Sequence, residues 1–345
     1  MHAIHDSAGL WTLAWRRLRA DRLAMGALAV VAAFLLLLAA SASGIVAADW
    51  EEEVAVNYAP PTFVAPPRAG QGAAAAHGAG GAEGPAGVPP ANEFDPLAQD
   101  IRELRATLGK AVAEPAAVRA ASLPFGADKW GHNIILKTIK GGETSIVVGL
   151  AAATLAVGLG TLFGAISGYH GGLVDDFFNW FYNVFTSIPS ILMILTVAAV
   201  LQQKGVLTIV LILGLTGWTG PYRLIRAEYI KHKAREYVMA ADAIGASAWQ
   251  KMFTHIFPNV SHVALVQVSI LVVGFIKAEV ILSFLGFGVP VGVVSWGSML
   301  NEAQNELILG KWWQLTAAAS AMALLVTAFS LFADALRDAL DPKVK

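Results

Sequence analysis

The chain has 345 residues, 56% of them hydrophobic and 14% charged, with a formal net charge of −1 and no cysteine. Soluble domains carry about 25% charged residues, so the apolar excess, gathered in long blocks, excludes an ordinary soluble fold and points to a membrane protein. The charge balance gives no basic field for nucleic acid, and the lack of cysteine excludes disulfides, thiolate chemistry and zinc–sulfur or iron–sulfur sites.

Residues 1–22 read as a cytoplasmic N-terminal segment carrying Arg16, Arg17, Arg19 and Arg22. The apolar block that follows, 23–48, outruns the roughly 7–15 residues of a signal-peptide core. It is expected to remain as a first transmembrane helix, entered from the cytoplasm. Residues 49–143 form one long external insert. Its middle, 66–91, is rich in Ala, Gly and Pro and reads as a flexible linker. Behind Asp95-Pro96, Leu97, Ile101, Leu104 and Leu108 recur at helical spacing, which predicts a short amphipathic helix with Pro at its first position. A soluble docking piece and a helix lying on the membrane surface both fit it.

Five further spans are expected at 144–167, 178–201, 206–224, 263–285 and 313–336, within a core running from 144 to 336. Alternation puts 225–262 and the tail 337–345 inside. The inner loop holds Arg226, Lys231, Lys233, Arg235 and Lys251, whereas the short outer loops hold only Lys204 and Lys311. The fold class is therefore all-α, a polytopic protein of six transmembrane helices with both termini cytoplasmic. The turn at 168–176 holds Asp175 and Asp176 and no Lys or Arg, and lends this orientation no support.

In the second span Gly160, Gly164 and Gly168 lie four apart on one face, a seam that lets a neighbouring helix approach to backbone contact. Pro189 and Pro221 are expected to bend or break their helices. The fifth span contains Lys277 and Glu279, each costing about 2.5–3.5 kcal/mol at mid-membrane. Its fifteen Val, Leu, Ile and Phe residues return about 0.3–0.6 kcal/mol each. The sums nearly cancel, so neither charge is expected to face lipid at mid-depth. A polar lining of a solute path and a structural ion pair with another helix or a lipid head group both remain open.

The inner loop reads as two short helices. One, about 234–244, ends at Gly245 in the left-handed position that follows a helix. The next starts at Ser247, with Gln250 completing a capping box, and is expected to close at Pro258. Ala240, Ala241, Ala243, Gly245 and Ala246 make a small-residue knuckle between Tyr237 and Ile244. It fits a groove on a partner protein; a well-capped hairpin with no partner fits equally.

This spacing resembles the E-A-A-x3-G … L-P loop of bacterial ABC-importer permeases, present here as Met239-Ala240-Ala241-x3-Gly245 and ending in Phe257-Pro258. Other matches are similar to the peptide, opine and nickel branch, specifically its C-type permease subunit. They are Pro124-Phe125-Gly126-Ala127-Asp128, Gly168-Tyr169-His170-Gly171-Gly172 and Ile188-Pro189-Ser190. Further on come Glu279 with Leu282-Ser283-Phe284-Leu285-Gly286-Phe287-Gly288, Ser295-Trp296-Gly297, and Arg337-Asp338-Ala339-Leu340-Asp341-Pro342. The likeness covers about 11–46 and 123–342. It implies a bacterial inner-membrane importer subunit, with Glu236, Tyr237, Met239, Ala240, Ala241, Asp242, Gly245, Ala246 and Ser247 docking a separate ATPase. It further implies a homologous second permease, two ATPase subunits that use ATP and Mg, an external substrate-binding protein and surrounding lipid. This chain itself is expected to bind no cofactor or metal.

Three departures stand out. Met239 replaces the usual Glu, whose ion pair is then either absent or supplied by Glu236 or Asp242. His132-Asn133 and Glu143 replace residues that are usually Arg-Asp and Arg, and the 66–119 region is longer than usual. No phosphate loop of the form G-x4-G-K-[S/T] occurs: Gly109-Lys110 precedes Ala111, and Gly310-Lys311 precedes Trp312. His2 and His5 share a helical spacing but no metal-site context, and no G-x-S-x-G is present. No catalytic residue is therefore expected. The cargo (dipeptide, oligopeptide, heme-like ligand, nickel chelate or opine) is not legible.

Overall fold

The computed structural model describes residues 10–64, 119–290 and 292–340. The linker at 66–91, the helix after Asp95-Pro96, Gly109-Lys110, His2 and His5, and the Asp341-Pro342 end of the last motif lie outside them. Two units divide the chain, one of Met1–Glu51 with Ile134–Lys345 and one of Glu52–Asn133.

The larger unit is all-helical. Helix α1 (Leu10–Ala20) and α2 (Arg22–Ala42) are separated by Asp21. Its carboxylate accepts from the Leu23 and Ala24 amides at 2.8 and 3.3 Å, so α2 starts on a satisfied N-cap. Helix α3 (Ile134–His170) has 37 residues, about 55 Å at 1.5 Å per residue. Ten residues assigned to the external insert, Glu143 among them, thus belong to its first turns. The Glu143 carboxylate takes a 2.5 Å hydrogen bond from Ser41 at the end of α2 and pairs with Lys140 at 2.8 Å.

The third expected span is a broken pair, α4 (Gly172–Thr186) and α5 (Ser190–Leu201), bent by 82°. Pro189 is the N-cap of α5, and having no amide hydrogen it cannot carry α4 onward. The fourth expected span is also divided, into α6 (Val206–Thr216) and α7 (Thr219–Lys233). Pro221 sits in the first turn of α7, where its ring would collide with the Gly217 carbonyl were α6 continuous. Helix α6 alone is about 16 Å long, short of the roughly 30 Å hydrocarbon. Among the described residues four helices are long and apolar enough to cross a membrane, five if the bent pair counts as one. A count of six requires α6 and α7 to act together.

Helix α8 (Glu236–Ala243) follows, then a π-helical segment (Gln250–Ile256) that runs without a break into α9 (Phe257–Phe284). Pro258 therefore does not close a helix as expected. It stands at the second position of α9, directly behind the π-helical segment, and the helix runs on through it. Helices α10 (Trp296–Ile308) and α11 (Trp313–Leu340) complete the unit.

Helix α3 is the central member. Its Val148, Ala152, Ala153 and Ala156 pack with Ile209, Ile212 and Leu213 of α6, Val272 and Ile276 of α9, and Leu325 and Phe329 of α11. Lipid tails are as apolar as these side chains, so close packing and buried polar bonds must hold the helices together. One set of such bonds fixes α10. Lys137 donates to Glu302 at 2.6 Å, Gln314 to Glu302 at 3.1 Å, and the Trp296 indole to the Thr138 carbonyl at 2.9 Å.

The smaller unit contributes three isolated β-bridges and no strand among its described residues: Ala55 with Ala120, Pro61 with Leu123 and Ala127 with Asn133. Buried Asp128 organises it, accepting from the Trp130 and His132 amides at 2.8 and 2.9 Å and meeting the His132 ring at 2.9 Å.

Candidate functional site

The segment between α7 and α9 is built by local rules. Helix α8 ends in a Schellman motif. The Gly245 amide donates to the Asp242 carbonyl at 2.9 Å and the Ala246 amide to the Ala241 carbonyl at 3.0 Å. Gly245 itself has φ +81°, which a side chain makes costly. Ser247 then caps the next turn as expected: its amide donates to Gln250 Oε1 at 3.0 Å, and the Gln250 amide donates back to Ser247 Oγ at 3.3 Å.

The turn is clasped by an ion pair between Asp242 and Lys251. The Lys251 ammonium, by hydrogen bond and then charge, holds the Asp242 carboxyl below its ordinary value, and Asp242 raises Lys251 in return. Both stay charged through neutral pH. Of the two carboxylates near Met239, Asp242 is thus engaged, while Glu236 stands exposed in the first turn of α8.

The inner side of the loop is anchored on its own chain. Val238 packs in a cluster with Ile225, Tyr229, Met252 and Ile256, and the Tyr229 hydroxyl donates to the Met252 carbonyl at 3.1 Å. Tyr237 meets the His232 ring at 2.8 Å. Burial pushes that imidazole down, so it is neutral when it shares this bond. Ala241 is 4% exposed and faces the same interior, which separates it from the other members of the knuckle.

The outer side is bare. Ile244 is 83% exposed, Trp249 60% and Met239 55%, and Ala240, Ala243 and Ser247 are exposed beside them. A Cβ built on Gly245 meets nothing within 4 Å. The loop therefore presents a rigid apolar knuckle to the space outside the chain.

Behind it runs a stiff connection to the membrane core. On Gly160, Gly164 and Gly168 a Cβ would come within 2.7, 2.8 and 2.6 Å of the Trp218, Tyr222 and Arg226 carbonyl oxygens. The seam expected from sequence thus holds α7 at backbone distance along its length. Arg226 of α7 also grips Asp175 of α4 through two bonds of 2.6 and 2.5 Å.

The two charges of the fifth span separate. Glu279 is fully buried, and its two oxygens accept from the Ser145 and Ser283 hydroxyls, both at 2.7 Å. Ser145 also accepts from the Trp296 amide at 3.2 Å, so Glu279 ties α3, α9 and the start of α10 together. Lys277 points out of the chain. Sequence reasoning did not find this network, nor Lys137 with Glu302, whose partners lie far apart in the chain. Among the described residues no group of His, Cys, Asp or Glu has the arrangement of a metal site.

Residues 160–345 match the family described as binding-protein-dependent transport system inner membrane component. Residues 9–61 match the N-terminal transmembrane domain of oligopeptide transport permease C. The chain is 36% identical over 221 residues to the oligopeptide transport system permease protein OppC of Bacillus subtilis, covering 64% of this chain and 72% of that one. It is 34% identical over 221 residues to the dipeptide transport system permease protein DppC of the same organism, covering 64% and 69%. The corresponding figures for OppC of Haemophilus influenzae are 35% over 219 residues, 64% and 70%.

Proposed function

The chain belongs to the family of binding-protein-dependent transport system inner membrane components, and on that basis we propose that it forms half of a translocation path driven through the Gly245 knuckle by a separate ATPase. Membership makes it a multi-pass permease subunit of an importer and not an enzyme, ATP hydrolysis lying in separate subunits. Relatives named for oligopeptide and dipeptide transport support peptides, or small solutes like them, as the cargo. The working complex then contains a homologous second permease, two ATPase subunits that bind ATP and Mg, and an external protein that delivers the solute. Both termini face the cytoplasm.

One observation carries the docking assignment: the loop is seated firmly on its inner side yet leaves Gly245, Met239, Ile244 and Trp249 uncovered. Large apolar side chains held rigidly in the open outside the spans suit a protein groove. Because α7 enters this loop and the π-segment leaves it directly into α9, displacing the knuckle moves both as levers. Lys277, facing out of the chain, is the member of the Lys277–Glu279 pair suited to a solute path.

The test is substrate-stimulated ATP hydrolysis by reconstituted complexes carrying Gly245→Val. The variant should reach the membrane but lose transport, with ATPase subunits that dissociate or no longer respond to the loaded binding protein. Wild-type stimulation would return the loop to an ordinary capped hairpin.

A further inference from the structure

Helix α1 has a second face that its packing leaves uncovered. Ala14 and Leu18, four residues apart, are buried in a cluster with Ala24, Val266, Ala339 and Leu340. Next to that stripe Trp15 is 53% exposed, and Arg16 and Arg19 are exposed. At about 100° per residue, Trp15, Arg19 and Arg16 fall in that order within an arc of about 100° beginning beside the buried stripe. Asp21, which follows α1, is occupied as the N-cap of α2.

The depth of this face follows from its attachment. Helix α2 begins at Arg22 and runs 21 residues, about 32 Å, which matches the hydrocarbon thickness. Its first residue therefore lies at one membrane boundary, and α1, one residue earlier, lies at head-group level. There an indole favours the interface and arginines meet phosphate bidentately.

We propose that α1 is an interfacial helix that binds the phosphate head groups of anionic phospholipids through Arg16 and Arg19, with Trp15 seated at the head-group boundary. Charge complementarity selects this occupant, since zwitterionic lipid offers the cations no net countercharge. Each arginine near an anionic surface contributes about a fivefold gain. The proposal does not depend on the docking loop.

Hydrogen exchange of the backbone amides of α1 tests it, using the full chain in nanodiscs of phosphatidylcholine alone or mixed with phosphatidylglycerol. Exchange in α1 should slow at least about fivefold in the anionic discs, and the difference should vanish in 1 M salt, where the Debye length is about 3 Å. The pair Arg16→Gln with Arg19→Gln should abolish the slowing, while Arg16→Lys with Arg19→Lys keeps most of it. Equal exchange in both lipids overturns the proposal, as does slowing that survives in the Gln pair. Loss of slowing in the Lys pair also overturns it, because charge is retained there. Inorganic phosphate added to phosphatidylcholine discs should change nothing; if it reproduces the protection, the site binds free phosphate and not lipid.

Discussion

Gly245 combines a backbone requirement with a spatial one, and substitutions can separate them. Asparagine tolerates the left-handed conformation but fills the open space before the missing Cβ. Gly245→Asn is therefore expected to fold and insert like the parent while reducing substrate-stimulated ATP hydrolysis severalfold in reconstituted complexes. Full stimulation would show that only the turn, and no partner, selects glycine here. Glu279 makes a contrasting case. The sequence left open whether it lines a path or serves structure; in the fold both oxygens are satisfied internally by Ser145 and Ser283. Glu279→Leu removes two buried hydrogen bonds to a carboxyl group, a loss on the order of 3 kcal/mol. A fall in the melting temperature of the purified chain is expected, with a smaller one for Glu279→Gln. Lys277→Ala should leave melting unchanged and lower transport, so the two variants together distinguish a structural charge from a path residue.

Elements differ in how far their sequence declares them. The period-four glycines were legible because close approach leaves no room for any side chain. The structure supplies what they approach, the carbonyl oxygens of α7. Gly164→Leu should force α3 and α7 apart and lower the yield of folded chain sharply. Gly158→Ala on the same helix, where a Cβ meets nothing within 4 Å, should be tolerated. Thermal melting of both variants in detergent checks the contrast. The caps at Gly245 and Ser247 were legible too, since Schellman and capping-box rules are local. The π-segment was not, because it differs from an α-helix by about one residue per turn, a difference no residue type marks. For the same reason Pro258 looked like a terminator although the helix runs on through it from the π-segment. Nor were α1 and α10 foreseen as helices: each leans in part on side chains remote in sequence, such as Glu302 on Lys137 and Leu18 in the cluster with Leu340.

For the whole molecule, hydropathy and charge set six expected spans, of which the described residues show four helices of crossing length, or five with the bent pair. Pro189 and Pro221, expected to bend or break their helices, stand at the two breaks. The proposed orientation predicts that reporter domains fused after Asn92 and near Asn305 lie outside, and those fused after Gln250 and Lys345 inside. An inside signal after Asn92 would remove the first span and invert the scheme. The central claim is that the knuckle sits in a groove of an ATPase subunit. The chain has no cysteine, so Ile244→Cys provides a unique thiol at its most exposed side chain. In the assembled complex a short photoactivatable cross-linker on that thiol should capture an ATPase subunit, with a yield that changes when ATP is bound and hydrolysed. Cross-links confined to lipid or to this chain itself, with the ATPase present and active, would contradict the claim.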